Sequence, residues 1–418
     1  MTVWTPQQEA ALLKVGQWYR HADKKQKQVF RLFGFAGTGK TRMAKTLDED
    51  LTGGVAQFCA PTAKAAQVLR SKGCLNADTV HSLIYNPKEK SKQRLRDLEA
   101  LVKKLEADRN RIPERKAMYD KELDRVNKQL DEERVRALRP SWAINPESPI
   151  KDCPLVILDE ASMVDKNLAE DLMSYGIPIL VLGDPAQLPP VAGQGYFTNH
   201  IADVMLTDVV RQAQDNPIIR AATTVRNGGS LSPGMWESPS GSLTVFPRAE
   251  LTPEDVTWAD QLLVGRNNTR KASNARIRQL AGHHNLVFPV AGEKLVCLKN
   301  NRELGLLNGG IYRCLKDSVD SGDMHVLLKL RPEGEETGNG MEIMAHRRIF
   351  LNEDIPYYEA KEFETFDYAG AMTVHKFQGS QADKITLFDE WFNRDSRQQW
   401  LYTGITRAAV HLRVVQFG

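Results

Sequence analysis

The sequence predicts an α/β fold built on two doubly wound parallel sheets. Short apolar runs alternate with helix-compatible stretches near both ends of the chain, which is typical of strand–helix–strand units. A glycine-rich loop at residues 34–41 directly follows one of these runs. The alternation is broken by a charged stretch at residues 86–140 and by short strand-like runs within residues 291–360. We therefore expect one insertion in each α/β domain.

The first predicted α/β domain comprises residues 1–85 and 141–215. Its apolar runs are short, and polar, glycine or proline residues follow each of them, as expected where buried parallel strands end at one edge of a sheet. These runs are residues 29–33, 55–60, 155–158 and 179–182.

The insertion at residues 86–140 carries 17 Lys and Arg against 12 Asp and Glu, a net charge of +5, so the rest of the chain contributes −2 to the formal total of +3. Its apolar residues recur at spacings of three and four in two arms around Pro113, which predicts an antiparallel helical hairpin. A solvated spacer or a dimerising coiled coil would give a similar pattern, and the basic excess is only a hint of nucleic-acid contact. The spaced residues are Leu95, Leu98, Val102, Leu105, Tyr119, Leu123, Val126 and Leu130.

The second predicted α/β domain comprises residues 216–290 and 361–418. A strand-like run at residues 261–264 precedes a basic, helix-compatible stretch, and the α/β pattern resumes at Ala371. An apolar run at residues 410–415 closes the series, and we expect no nuclease or docking module after it.

The insertion at residues 291–360 has a different pattern. Short strand candidates at residues 295–298, 311–315 and 325–330 are separated by turn residues. Such short strands with turn signals between them predict a small β-barrel.

The glycine-rich loop predicts a phosphate site. A strand, a glycine loop and a helix start in this order direct backbone N–H groups and the helix N-terminus toward phosphate oxygens. Lys40 is placed to reach the β- and γ-phosphates, and the Thr41 hydroxyl is placed to bind Mg²⁺. The remaining predicted nucleotide-binding residues of the loop are Gly34, Ala36, Gly37, Thr38 and Gly39.

Two acidic residues follow the apolar run at residues 155–158. Asp159 and Glu160 should emerge at the carboxyl end of a parallel strand, where open sheets bind ligands. Asp159 is the predicted partner of Thr41 at Mg²⁺, and Glu160 is placed to orient or deprotonate an attacking water. Gln187, in the loop after the run at residues 179–182, is a candidate γ-phosphate sensor.

The composition predicts neither a membrane partner nor a structural metal. No run of eighteen apolar residues and no signal peptide occurs. The five cysteines form no CxxC or Cys/His cluster, which argues against zinc, iron–sulfur and disulfide frameworks.

Nine short sequence blocks follow one another in a defined order, and together they resemble the superfamily 1B DNA helicases of the RecD-like and phage Dda-like branch. The series covers most of the chain, which makes it far more specific than any single block. The blocks are Thr-Pro-Gln-Gln at residues 5–8, the glycine loop at 34–41, Ala-Pro-Thr-Ala-Lys-Ala-Ala at 60–66, Thr-Val-His-Ser-Leu at 79–83, Leu-Asp-Glu-Ala-Ser-Met at 158–163, Gly-Asp-Pro-Ala-Gln-Leu-Pro-Pro at 183–190, Val-Arg-Gln at 210–212, Thr-Val-His-Lys-Phe-Gln-Gly-Ser at 373–380 and Tyr-Thr-Gly-Ile-Thr-Arg-Ala at 402–408.

The resemblance implies two RecA-like domains, with a small SH3-like β-barrel insertion in the second. The helical-hairpin insertion predicted at residues 86–140 of the first domain departs from the pattern of the family. It implies ATP and Mg²⁺ as cofactors and Gln8 as the adenine contact. It also makes Gln187, Arg211 and Arg407 sensors of the γ-phosphate, the two arginines acting across the cleft between the domains. Outside their blocks, both arginines would be interpreted as surface or helix-capping residues.

For DNA, the resemblance implies two sets of contacts to one strand. Hydroxyls and a few cations suit phosphate contacts that carry no sequence information. His81 and His375 are equally compatible with structural roles. The implied contacts are Pro61, Thr62 and His81 in the first domain and Thr373, His375 and Lys376 in the second.

The resemblance therefore implies a monomeric, ATP-dependent helicase that moves 5′→3′ on single-stranded DNA and opens duplex junctions. Relatives often carry a short β-hairpin where this chain has residues 86–140, so the residue that splits the duplex stays unassigned. We expect a cytoplasmic location in a bacterial cell or phage-infected host. A single-stranded-DNA-binding protein, or proteins of DNA replication, recombination or repair, are the expected partners.

Two other functions stay open. One is a DNA-stimulated ATPase that displaces bound protein without separating strands. The other is a coiled-coil assembly subunit in which ATP acts as a switch, suggested by the spacing within residues 95–130.

Overall fold

The structure is a computed structural model, and it describes residues 3–21, 27–87, 93–138, 142–190, 193–209, 215–301, 303–322, 324–335, 337–353, 355, 363–390 and 396–417. Among these residues, no helix combines the length and the apolar character needed to cross a lipid bilayer. The chain divides into two compact units. One contains Met1–Ile84, Glu147–Glu353 and Glu364–Gly418, and the other contains Tyr85–Pro146 and Asp354–Phe363.

The first sheet of the larger unit has six strands, all parallel to their neighbours. Their carboxyl ends therefore lie at one edge of the sheet. The strands are β1 (Val29–Gly34), β2 (Gln57–Ala60), β3 (Asp78–Thr79), β6 (Val156–Leu158), β7 (Ile179–Gly183) and β8 (Val204–Leu206), and the helices of this domain are α1 (Pro6–His21), α2 (Lys40–Thr52), α3 (Ala63–Ser71), α4 (Val80–Ile84) and α7 (Lys166–Met173).

The strand order of this sheet is β3-β2-β6-β7-β1-β8. Strands β6 and β7 are buried along their whole length, because helices cover both faces. Helix α2 ends at Thr52, and the φ of 73° at Gly53 turns the chain so that the N–H of Gly54 bonds the carbonyl of Asp48. This order places β1, β6 and β7 in the interior of the sheet, and β3 at its edge.

The second sheet also has six strands, in the order β18-β11-β19-β20-β10-β9. All neighbours are parallel except the edge strand β9, which pairs antiparallel with β10. The strands are β9 (Gly234–Ser238), β10 (Gly241–Pro247), β11 (Gln261–Val264), β18 (Ala371–Thr373), β19 (Ala382–Asp389) and β20 (Ala408–Gln416), and the helices are α8 (Pro217–Arg226), α9 (Pro253–Thr257), α10 (Asn267–Leu280) and α12 (Arg397–Ile405).

These two sheets confirm the predicted α/β class with parallel sheets in two domains. Five strands of these sheets were not predicted, namely β3, β8, β9, β10 and β19. Strands β3 and β8 are too short for an apolar pattern, and β9 is exposed on nearly all of its residues. Its sequence, Gly-Met-Trp-Glu-Ser, lies in a stretch rich in glycine, serine and proline, which resembles a loop.

A third, fully antiparallel sheet lies between α10 and β18 in the sequence, with the order β14-β15-β13-β12-β17 and β16 paired to β15. Its strand positions agree with the predicted short strands, whereas its closure into an SH3-like barrel stays a prediction. Its elements are β12 (Lys294–Cys297), β13 (Ile311–Cys314), β14 (Val319–Asp320), β15 (His325–Pro332), β16 (Met341–His346), β17 (Phe366–Tyr368) and the short helix α11 (Arg347–Phe350).

The smaller unit contains two helices, α5 (Gln93–Arg111) and α6 (Lys116–Leu138), and a strand pair, β4 (Tyr85–Pro87) with β5 (Trp142–Ile144). The helices pack against each other. An ion pair of 2.6 Å joins Arg109 to Asp120 near the turn, and Arg94 lies 3.9 Å from Glu133 at the other end. The helices therefore run in opposite directions. The four-domain division and its exact boundaries stay a prediction.

Candidate functional site

The glycine-rich loop lies between β1 and α2, at the carboxyl edge of the first sheet. Gly37 and Gly39 have φ of 79° and 80°, a left-handed conformation that a side chain would strain. The loop therefore turns its backbone before α2 begins at Lys40. The Lys40 ammonium group donates to the carbonyl oxygens of Gly34 at 2.6 Å and Phe35 at 3.0 Å. The ammonium group of Lys40 thus lies inside the glycine loop, where the sequence predicted that it would reach the phosphates.

Two predicted magnesium ligands are in direct contact. The Thr41 hydroxyl donates to Asp159 Oδ2 at 3.1 Å, although the residues are 118 positions apart. Burial raises the pKa of the Asp159 carboxyl, and the charge of Glu160 raises it further, while Lys40 and Lys72 act in the opposite direction. A hydroxyl beside a carboxylate is a donor set that suits a hard divalent cation.

Glu160, Gln187 and Arg407 form a chain of polar contacts between the two sheets. The Arg407 guanidinium lies 3.8 Å from Glu160 Oε1 and is only 3% exposed as a residue. In the amide orientation that satisfies both neighbours, Gln187 donates to Glu160 Oε2 at 3.1 Å and accepts from Arg407 Nη2 at 3.1 Å. Glu160 has a φ of 55°, which is unusual for a residue other than glycine. The backbone is therefore strained where the carboxylate meets the second domain.

A cavity of about 540 Å³ joins these groups. It is lined by the glycine loop, by the acidic residues after β6 and β7, and by residues 406–409 of the second domain. Four cationic side chains, Lys40, Arg42, Lys72 and Arg407, line it together with Asp159, Glu160 and Asp184. The cavity has the size of a small-ligand site and the charges to hold a polyanion and a cation together.

Gln8 lies close to the loop but is not among the described residues that line the cavity. The residue is 3% exposed. Its side-chain amide donates to the carbonyl of Thr38 at 3.0 Å and accepts from the N–H of Thr5 at 2.9 Å. In the structure, Gln8 therefore contacts the loop at the Thr38 carbonyl without lining the cavity. Its role as an adenine contact stays a prediction, and Arg211, the other predicted sensor, lies outside the described residues.

The predicted DNA contacts of the first domain follow its strands β2 and β3. Thr62 is the N-cap of α3 and accepts from the N–H of Ala65 at 3.2 Å, and Pro61 precedes it. His81 lies in α4, directly after β3, and is exposed. These residues are at the same carboxyl edge as the cavity, but at the side of the sheet where β3 is the last strand.

The predicted DNA contacts of the second domain follow its edge strand β18. Thr373 is the last residue of this strand and accepts from the N–H of Lys376 at 3.3 Å. His375 is half-buried, which lowers the pKa of its imidazole, and Lys376 is exposed. A Cβ at Gly379 would lie 3.1 Å from the Thr62 hydroxyl, so the two predicted DNA-contact regions approach each other.

Three residues that link the second domain to the loops of the first received no role in the sequence analysis. Tyr402 contacts the glycine loop, and Thr403 accepts from the N–H of Leu188 at 2.9 Å. The Arg226 guanidinium carbon lies 3.5 Å from the centre of the Phe35 ring. Tyr402 and Thr403 fall inside the block at residues 402–408, which could have indicated them. Arg226 lies in no block, and no sequence pattern indicated it.

Two family models match the chain. The AAA domain matches residues 13–235, and the UvrD-like helicase C-terminal domain matches residues 368–415. The first covers more than half of the chain and contains the loop, the acidic pair and Gln187. The second contains Thr373 and Arg407.

Two curated proteins are similar in sequence. The ATP-dependent DNA helicase dda of Enterobacteria phage T4 is 29% identical over 223 residues, which are 50% of this chain and 40% of the phage protein. The uncharacterized protein R530 of Acanthamoeba polyphaga mimivirus is 29% identical over 178 residues, 39% of this chain and 29% of the viral protein. The matches thus span well under half the length of either relative.

Solved structures of Pif1 helicases have the same fold. The enzyme from Candida albicans aligns with a TM-score of 0.50 and 17% identity, covering all of this chain and 95% of that chain. The Bacteroides enzyme in complex with ADP-AlF3 and single-stranded DNA aligns with a TM-score of 0.51 and 16% identity, covering 99% of this chain and 92% of that chain. At this identity, the likeness concerns the fold alone.

Proposed function

We propose that the chain, which belongs to the AAA domain family and to the superfamily 1B helicases, is an ATP-driven motor that moves along single-stranded DNA and opens duplexes. One observation carries the proposal. The Thr41–Asp159 pair and the Glu160–Gln187–Arg407 contacts surround one cavity, and Arg407 reaches it from the second domain. This arrangement can both hold a nucleotide and respond to its γ-phosphate.

The glycine loop would bind the phosphates of ATP through its backbone N–H groups, with Lys40 turning from its own carbonyl partners to the β- and γ-phosphates. Thr41 and Asp159 would hold Mg²⁺, which when bound neutralises charge on the phosphate oxygens. Burial raises the pKa of Asp159 and thereby disfavours the ionised carboxylate. A bound divalent cation would act in the opposite direction and stabilise the carboxylate that binds it.

Hydrolysis would rely on the polar contacts between the domains. Glu160 is placed to orient the attacking water and take its proton. Arg407 would stabilise the negative charge that develops on the transferred phosphoryl group, and Gln187 connects the two side chains. Since Arg407 belongs to the second domain, its effect depends on closure of the cleft.

Movement would follow from the position of the predicted DNA contacts. They lie at the same carboxyl edges as the nucleotide residues, but after the edge strands β3 and β18 and after β2, the neighbour of β3. A change in the angle between the sheets would therefore change the spacing of Thr62 and Thr373 along a bound strand. Hydroxyls and a few cations would grip phosphates without reading sequence.

The names of the relatives support this proposal. The phage T4 protein is named an ATP-dependent DNA helicase, and one Pif1 structure holds ADP-AlF3 and single-stranded DNA. The proposed polarity, 5′→3′, rests on the likeness of the ordered blocks to the RecD-like branch. Helices α5 and α6 pack against each other within one chain. The assembly hypothesis predicts a stable oligomer in sedimentation that is lost when the insertion at residues 86–140 is deleted, and a monomer would contradict it.

The test is ATP-dependent unwinding of matched duplexes that carry either a 5′ or a 3′ single-stranded tail. The Lys40→Ala variant is the control, and it should retain the fold but lose turnover. We expect opening of the 5′-tailed duplex only, and DNA-stimulated ATP hydrolysis only in the unaltered protein.

Other outcomes would change the assignment. Opening of the 3′-tailed duplex alone would reverse the polarity and overturn the proposed DNA path. Movement on single strands that removes a bound protein without opening a duplex would identify the second candidate, a displacement ATPase. Full hydrolysis by the Lys40→Ala variant would contradict the assignment of the site.

A further inference from the structure

The hydroxyl of Tyr402 joins the two loops that carry the nucleotide residues. It accepts a hydrogen bond from the N–H of Ala36, in the glycine loop, at 3.0 Å. It donates to Asp184 Oδ2, in the loop after β7, at 2.6 Å. Tyr402 is 1% exposed and belongs to α12, in the second domain. A single buried phenol thus contacts both loops of the first domain from across the cleft.

Asp184 in turn organises the loop that carries Gln187. Its Oδ1 accepts from the N–H of Ala186 at 3.0 Å, and its carbonyl accepts from the N–H of Gln187 at 3.2 Å. Burial raises the pKa of this carboxyl, while Lys40 and the Tyr402 hydroxyl oppose the rise. The position of Asp184 therefore sets the position of Gln187.

Neighbouring contacts of the second domain reinforce this connection. Thr403, the next residue of α12, accepts from the N–H of Leu188. The Arg226 guanidinium stacks on Phe35, the residue before Ala36. Each loop thus has a second contact from the second domain, beside the one made by Tyr402.

We propose that Tyr402 is a positioning residue that couples cleft closure to γ-phosphate sensing, by holding the glycine loop and the Gln187 loop in one geometry. The inference rests on the proposed function. Tyr402 is not among the described residues that line the cavity, so it acts on the nucleotide through Ala36 and Asp184. Its ring belongs to a hydrophobic core made mostly of residues of the second domain, whereas its hydroxyl carries the coupling.

The β-phosphate and the γ-phosphate of ATP would be recognised by different groups of the site. Binding of the β-phosphate depends mainly on Lys40 and on the loop residues 37–41, whereas Tyr402 hydrogen-bonds the loop at Ala36, before this segment. Recognition of the γ-phosphate depends on Gln187 and Arg407 keeping a fixed position relative to the glycine loop. The Tyr402 hydroxyl maintains this position. Loss of the hydroxyl should therefore reduce turnover and leave ADP binding unchanged.

The test is the Tyr402→Phe substitution, which removes the hydroxyl and keeps the ring. We expect kcat of DNA-stimulated ATP hydrolysis to fall about three- to tenfold, the effect of losing one net hydrogen bond in the active geometry. The dissociation constant of ADP should stay within about twofold, and inhibition by ADP with aluminium fluoride should weaken by a similar three- to tenfold factor.

The matched control is Tyr312→Phe in the antiparallel sheet. Tyr312 is 3% exposed, and its hydroxyl accepts from the N–H of Leu307 at 3.3 Å. This variant also loses one buried phenol hydroxyl, yet it should hydrolyse ATP normally. A purely structural effect would lower the melting temperature of both variants alike and change neither ADP binding nor aluminium fluoride inhibition.

The double substitution Tyr402→Phe with Asp184→Asn tests the link between the two residues. If the phenol acts through Asp184, the double variant should lose less than the product of the two single losses. Normal kcat and aluminium fluoride inhibition in Tyr402→Phe would overturn the inference while the proposed function stands. Absence of DNA-stimulated hydrolysis in the unaltered protein would instead contradict the proposed function.

Discussion

The two parallel sheets each end one of their inner strands in an Asp-Glu pair, and only one of these pairs belongs to the candidate site. Asp159 and Glu160 follow β6 in the first sheet. Asp389 is the last residue of β19 in the second sheet, and Glu390 follows it. In both places a buried apolar run leads directly into two acidic residues. Judged by this local pattern, the pairs are equivalent.

Their neighbours differ. Asp159 contacts the hydroxyl of Thr41, and Glu160 points to Gln187 and Arg407 across the cavity. Asp389 instead pairs with Arg397 at 2.7 Å. Glu390 is also engaged within its own domain.

The two oxygens of the Glu390 carboxylate hold the start of the segment after β11. One accepts from the N–H of Gly265 at 3.3 Å, and the other accepts from the Thr269 hydroxyl at 2.9 Å. Glu390 of the second pair thus connects the end of β11 to the first turn of α10 by hydrogen bonds. The two pairs therefore differ in their surroundings, because the glycine loop, Lys40 and Arg407 line a cavity with the first pair, whereas residues of the same domain engage the second.

The largest expected difference is in turnover. Glu160→Gln should lower kcat for ATP hydrolysis by roughly 100-fold, since the amide cannot accept the proton of the attacking water. Glu390→Gln should leave turnover per folded molecule unchanged and reduce the free energy of unfolding by about 1 kcal/mol, through weaker contacts to Gly265 and Thr269. Steady-state hydrolysis with saturating single-stranded DNA and urea unfolding measure the two effects.

Binding of fluorescent ADP is the control for this pair. Both variants should bind it as the unaltered protein does, because neither change touches the glycine loop. A comparable loss of kcat in both variants would show that the contrast between the pairs is wrong.

The next effect concerns stability at the second pair. Burial raises the pKa of Asp389, and Arg397 opposes the rise. Arg397→Gln should therefore raise this pKa further. An acid whose pKa is higher in the folded protein loses stabilising free energy as pH rises from its unfolded value, near 3.9, through its folded value.

The variant should accordingly be less stable by about 1–2 kcal/mol near pH 7.5, a value limited by the partial exposure of Arg397, and nearly normal near pH 4. Urea unfolding of both proteins across this range is the measurement. A deficit that does not change with pH would show that Arg397 acts by packing instead of by charge.

Much of the fold could be predicted because its signals are local. The apolar runs before residues 34–41 and before Asp159 are strands, and the spacing of three and four within residues 95–130 falls in α5 and α6. Strand β9 was missed because exposed edge residues carry no apolar alternation. Its pairing with β10 depends on tertiary context.

The candidate site was predictable where roles reside in short blocks, as at Lys40 and Asp159. The direction in which a side chain points was not. The Gln8 amide bonds Thr38 and Thr5, and the contact of Tyr402 with Ala36 joins residues 366 positions apart. The Thr5–Gln8 contact has the spacing of a capping box at the start of α1. No spacing indicates the contact of Gln8 with Thr38 or of Tyr402 with Ala36, because tertiary packing creates both.

The smallest expected effect is a gain of stability at the first pair. Burial and the charge of Glu160 raise the pKa of Asp159, so its ionised form costs folding free energy at neutral pH. Asp159→Asn should abolish hydrolysis and yet raise the free energy of unfolding by about 1 kcal/mol at pH 7.5, measured without magnesium or nucleotide. The gain should shrink as pH falls and vanish below the unfolded pKa, near 3.9, where the unaltered carboxyl is protonated in both states. Asp389→Asn should gain less, since Arg397 already offsets the charge there. An equal gain at both positions would mean that the ion pair with Arg397 contributes nothing to the free energy of unfolding.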